Sequence, residues 1–93
     1  MKFKPNSCKE IITVEDTSDA RTDRTYIKFA NGLSLSVVNG RGSYGGSQGL
    51  FEIAPFDKED LMDGSLLDFV GDDVLGHLTG EAVESYIIQL KSL

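Results

Sequence analysis

The stretch "TYIKFANGLSLSVV" (25–38) constrains this chain more than any other. Thr25, Ile27 and Phe29 alternate with Tyr26 and Lys28, and Leu33, Leu35 and Val37 alternate with Ser34 and Ser36. A period of two is that of a strand with one buried face. Two such runs around Asn31-Gly32 suggest a hairpin, and the dipeptide by itself suggests a two-residue type I′ turn. That register would set Phe29 opposite Ser34 and Lys28 opposite Leu35, so the apolar faces would disagree. A three-residue loop, Ala30-Asn31-Gly32, instead pairs Phe29 with Leu33, Ile27 with Leu35 and Thr25 with Val37. A one-residue slip reverses a whole face. The pattern therefore selects the longer loop, with Gly32 in the left-handed position of a G1 bulge.

The flanking segments extend this hairpin. "KEIITVED" (9–16) offers Ile11, Ile12 and Val14 as a short strand, and the polar stretch 16–24 reads as a loop. "GLFEIAPF" (49–56) is a further strand, with Phe51 and Ile53 on one face and Leu50, Glu52 and Ala54 on the other. Pro55 should end it or place it at an edge. Over 57–73 the pattern suggests a turn at Asp63-Gly64 and then a short strand near 66–70. "HLTGEAVESYIIQLKSL" (77–93) carries a helix, with Thr79 as N-cap and Leu78 and Val83 as a hydrophobic staple. Glu81 and Glu84 near its start and Lys91 near its end complement the macrodipole. Val83, Ile87 and Leu90, with Tyr86 beside them, form the stripe that docks on a sheet. The expected class is α+β: one domain over 1–93, with a loose start over 1–8. Its core is a small, meander-like antiparallel sheet of three to five strands covered by one C-terminal helix.

Charge is distributed unevenly. Residues 1–41 hold seven Lys/Arg against five Asp/Glu, a net of +2, and residues 42–93 hold two against ten, a net of −8; together these give the −6 of the whole chain. All but one of those ten acids lie between Asp57 and Glu84. A field of that sign repels nucleic acid and favours basic surfaces. Direct nucleic-acid binding is therefore not expected. Cys8 is the only cysteine, so no internal disulfide forms. "MKFKPNSCKE" lacks the apolar core of a signal peptide, and no apolar run reaches the roughly 18 residues of a membrane span. Both point to a soluble, cytoplasmic protein.

"NGRGSYGGSQGLFE" (39–52) is the most unusual segment, with five glycines over residues 40–49. A phosphate-binding P-loop needs a lysine after its second glycine, where Gly46 and Ser47 stand here. "GRGSYG" fits the dinucleotide spacing, but that fingerprint opens a helix and a strand follows here. Three readings remain. In one, the glycines are only a connection that permits positive φ. In another, they form a backbone nest for an anion, with Arg41 beside it. Or they present a partner tip, with Tyr44 as anchor. Candidate partner- or ligand-binding residues are Arg41, Ser43, Tyr44, Gly45, Gly46 and Gln48. A second candidate set, facing a basic partner, is acidic: Asp57, Glu59, Asp60, Asp72 and Asp73. Its spacing does not fit an EF-hand, because Leu61 would fall on a ligand position. Helix N-terminal capping accounts for Asp72 and Asp73. No metal or cofactor is expected. His77, the only histidine, is expected to be structural, and no catalytic set emerges, so the chain is not expected to be an enzyme.

"YGGSQGLFEIA" (44–54) and "DDVLGHLTGEAVESYI" (72–87) together resemble a pattern found in small proteins of tailed bacteriophages. There, a Tyr-Gly-Gly and Gly-Leu-(Phe/Tyr)-Glu segment precedes an Asp-Asp-Val-(Ile/Leu)-Gly-(Tyr/His)-Leu-Thr segment and a C-terminal helix. The resemblance spans about residues 27–90, and the stretch 57–70 departs from it. It implies a phage origin, expression in a bacterial cytoplasm and no transferable catalytic residues. Charge and resemblance together suggest a non-enzymatic factor that binds and modulates or inhibits a host protein with a basic surface, such as a defence or nucleic-acid-processing machine. The alternative is a small-molecule or nucleotide sponge using the loop 40–49 at a homodimer interface.

Overall fold

The computed structural model describes residues 3–5, 11–16, 22–40 and 50–93. Five antiparallel strands form one sheet in chain order: β1 (Ile11–Asp16), β2 (Thr22–Phe29), β3 (Ser34–Gly40), β4 (Phe51–Phe56) and β5 (Leu75–Leu78). A 3-10 helix (Gly64–Leu67) separates β4 from β5, and the helix α1 (Gly80–Lys91) follows. The expected meander and its covering helix are both present. No helix among the described residues is long and apolar enough to cross a membrane.

The central hairpin adopts the register that its alternation demands. Thr25 pairs with Val37 and Ile27 with Leu35. Phe29 N donates to Leu33 O at 2.9 Å, and Gly32 lies at φ +88°. Ile27, Phe29, Leu35, Val37 and Ile53 meet Val83, Ile87 and Leu90 of α1 in one fully buried core. Burying one such side chain stabilises by about 1.5–3 kcal/mol. Thr79 caps α1 through its hydroxyl, which accepts from Ala82 N at 3.2 Å.

Several elements differ from the sequence pattern. β2 begins at Thr22, inside the stretch expected to be a loop. Phe3 does not share the loose start expected over 1–8. It is buried, with its ring edge-on to Phe51 at 5.5 Å and its carbonyl accepting from Thr25 Oγ1 at 3.2 Å. Pro55 lies within β4, opposite Leu35. Its carbonyl accepts from Asp63 N, so the side of Pro55 that lacks an N–H turns away from β3, beyond the last pairing with β5. Proline is tolerated in a strand at such a local edge.

No strand forms at 66–70. Asp63 caps the 3-10 helix by accepting from Ser65 N, and Asp68 ends it in the left-handed region at φ 59°. Leu67 is buried, and Leu66 and Phe69 pack against the core, Phe69 edge-on to Tyr86 at 5.6 Å. Apolar side chains spaced this way fit a tight turn against α1 better than a strand. The fifth strand instead uses "LGHL", with a register irregularity and His77 at φ 60°. Glycine and a left-handed histidine are poor strand signals, which conceals β5 in the sequence. His77 thus belongs to a strand that ends just before the Thr79 cap.

Candidate binding surface

Among the described residues, α1 covers one face of the sheet and no helix covers the other. On the open face, the cross-strand rows are Glu15–Tyr26–Ser36–Ala54, Thr13–Lys28–Ser34–Phe56 and Arg24–Val38–Glu52. The small side chains of Ser36 and Ala54 leave depth between the larger ones around them. The result is a groove of about 350 Å³, with Tyr26 and Phe56 on one side, Met62 and Val74 on another, and Arg24 and Glu52 at one end. The Tyr26 and Phe56 rings stand 5.7 Å apart at 59°.

Tyr26 is the most connected residue of this face. Its hydroxyl donates to Asp60 Oδ1 at 3.2 Å. Desolvation raises its pKa above the usual tyrosine value; the nearby Ser34 hydroxyl opposes this, while the carboxylates of Asp60 and Glu15 add to it. Ser34 Oγ is fully buried on the strand between the two aromatic rings, and it has no partner in hydrogen-bonding geometry among the described residues.

The acidic set divides into carboxylates that build the turns and carboxylates that face solvent. Asp57 Oδ1 accepts from Glu59 N at 2.8 Å and Leu61 N at 3.0 Å, closing the turn after β4. Asp60 occupies the left-handed region at φ 60° and reaches the groove rim through Tyr26. Asp73 Oδ1 accepts from Gly64 N at 3.0 Å. The expected capping role of Asp73 therefore serves the first residue of the 3-10 helix, not α1. Glu59 and Asp72 are exposed. Between these acids Leu61, Met62 and Val70 are exposed as well, Val70 almost completely at 96%. Residues 57–73 thus combine seven carboxylates and one lysine, Lys58, with exposed apolar side chains, of which Met62 lines the groove.

The glycine-rich candidates Arg41, Ser43, Tyr44, Gly45, Gly46 and Gln48 lie outside the described residues. The root of that connection is described: Asn39 is buried, and its Nδ2 donates to Leu50 O at 2.7 Å, linking the end of β3 to the approach to β4. The open-face groove was not identified in the sequence, although the even positions of the hairpin (Tyr26, Ser34, Ser36) already marked its non-core face. Among the described residues, no three His, Cys, Asp or Glu side chains converge where a metal ion could sit.

Comparison of the chain with family models, curated proteins and solved structures returns no match.

Proposed function

We propose that this is a non-enzymatic interaction protein that binds a basic surface of another protein through the open sheet face and the adjoining segment 57–73. One observation carries the reading: a groove of about 350 Å³ on the sheet face opposite α1, walled on one side by Met62 and Val74 from the strongly acidic part of the chain. Apolar contact area beside the carboxylates of Glu52 and Asp60 is what a partner rich in Lys and Arg complements. Charge complementarity of this kind raises association rates and fixes orientation. In the setting that the phage resemblance implies, the partner is a host protein with a basic groove, whose action this chain would modulate.

Capture from a bacterial lysate at low and at moderate salt tests the reading, with wild type compared against Met62→Lys and the helix variant Gln89→Lys. A basic protein retained by wild type and by Gln89→Lys, and lost with Met62→Lys, supports it. Recovery of nothing at either salt, or equal recovery by all three, counts against it.

A further inference from the structure

We propose that Asn31 is a site of spontaneous hydrolysis to aspartate and isoaspartate, held back by the fold, and that this modification unlatches the end of α1. The chain has two Asn-Gly pairs, Asn31-Gly32 and Asn39-Gly40. Glycine carries no side chain beside its own nitrogen, so another group can approach that nitrogen closely. In such a pair the glycine N attacks the asparagine Cγ. The N–H proton passes to the side-chain amide nitrogen, which leaves as ammonia, and a cyclic imide forms. Water then adds to one of the two imide carbonyls and breaks its bond to the glycine nitrogen. Opening at Cγ gives aspartate. Opening at the backbone carbonyl gives isoaspartate, in which the main chain runs through the former side chain. One water is consumed, one ammonia is released, and nothing is oxidised or reduced.

The folded chain holds each group of this reaction away from it at Asn31. The nucleophile, Gly32 N, donates its proton to Phe29 O at 3.1 Å. Asn31 Nδ2 donates to Leu90 O at 2.9 Å and to Leu93 O at 3.2 Å, and Oδ1 accepts from Leu33 N at 3.0 Å. Cγ can turn onto the Gly32 nitrogen only when these bonds open. Conversion therefore proceeds from a locally opened state, and its rate follows the population of that state.

The two pairs differ in what must open. Asn39 is buried in β3, its Nδ2 donates to Leu50 O at 2.7 Å, and Gly40 pairs with Thr22, so the sheet itself must part. Asn31 is only partly buried, in a turn, and its acceptors lie in the last turn of α1 and just beyond it. Helix ends fray, and Leu93 is already 62% exposed. Asn31 is thus the faster site. Its product cannot remake the joint. A carboxylate has no N–H for Leu90 O and Leu93 O, and its charge stands at the negative end of the helix dipole. Isoaspartate also lengthens the main chain inside a turn that the Phe29–Leu33 bond closes. With the ammonia lost, the release is one-way.

Peptide mass spectrometry of the full chain, aged in mildly alkaline buffer with and without urea, tests the proposal. In urea the two sites should convert at similar rates. In the folded chain Asn31 should convert more slowly than in urea, on the order of tenfold or more, yet ahead of Asn39. Ser92→Gly removes the Oγ bond to Ile88 O at 2.7 Å and loosens the last turn of α1. It should speed Asn31 on the order of threefold and leave Asn39 unchanged. In chains converted at Asn31 and separated by charge, amide exchange at Ser92 and Leu93 should quicken while that at Ile27 and Leu35 does not. Should converted chains fail to stay folded, the order of the two sites and their urea dependence decide. Equal Asn31 rates with and without urea, or Asn39 ahead of Asn31 in the folded chain, would overturn the proposal. So would a folded Ser92→Gly in which Asn31 converts no faster, or unchanged exchange at Ser92 and Leu93 after conversion.

Discussion

The Tyr26 hydroxyl donates to Asp60 Oδ1 across 3.2 Å and ties the open face of the sheet to the acidic turn after β4. One hydrogen bond thereby joins the two halves of the proposed surface, the sheet that provides the groove and the carboxylates that line its rim. Removing it with Tyr26→Phe should cost less than about 1 kcal/mol in urea unfolding, since the bond is exposed to water.

The same tyrosine gives a pH dependence. Its folded pKa is raised, so the fold favours the neutral phenol. An unfolded tyrosine ionises near pH ~10. Between that value and the higher folded one, the unfolded chain has released a proton that the native chain still holds. The contribution is therefore fully present below about pH 10 and is lost as pH rises through the folded value. Stability measured across that alkaline range should fall less steeply for Tyr26→Phe than for wild type.

Asn31 is a second joint. Its Nδ2 donates to Leu90 O at 2.9 Å and Leu93 O at 3.2 Å, while its Oδ1 accepts from Leu33 N at 3.0 Å. One side chain closes the hairpin turn and ties it to the end of α1. Asn31→Ala should destabilise by about 1–3 kcal/mol, because a partly buried carbonyl and amide lose their partner together. Urea midpoints measure this, and Asn31→Asp should recover only the turn component.

Gly64 admits no side chain. A Cβ there would overlap the carbonyl oxygen of Asp72 and stand 2.9 Å from the Asp73 Cα. Both obstacles are backbone, held close by the Gly64 N–H to Asp73 Oδ1 bond. Gly64→Ala should therefore cost about 2 kcal/mol or more, whereas Gly71→Ala, which meets no neighbouring atom but has φ +81°, should cost only its backbone strain, about 1–2 kcal/mol.

The parts of the fold legible in the sequence were those set by local period. Alternation in 25–38 specified both strands and their register, because a slip would expose Ile27 and Leu35. Thr79 and the Val83, Ile87, Leu90 stripe specified α1. What stayed hidden depends on contacts distant in sequence. Phe3 resembles any residue of a frayed terminus until Phe51 is placed beside it, 48 positions along the chain. β5 has a sequence poor in strand formers and exists because β4 offers an edge. The groove depends on three strands placing Tyr26, Ser36, Ala54 and Phe56 together, whereas the acids beside it were visible from composition alone.

Phe3→Ala distinguishes a docked start from a loose one. Truncating a buried aromatic in edge contact with Phe51 should cost about 3 kcal/mol. A change below about 0.5 kcal/mol, the usual effect of a surface substitution, would mean that the segment does not stay on the core.

Binding through the open face is most directly tested by a methyl NMR titration of the chain with the captured partner. The expected result is that Val38, Ala54, Leu61 and Met62 signals shift together while core-facing Val83 and Ile87 of α1 stay in place. Shifts concentrated on α1, with Ala54 and Met62 unmoved, would contradict it.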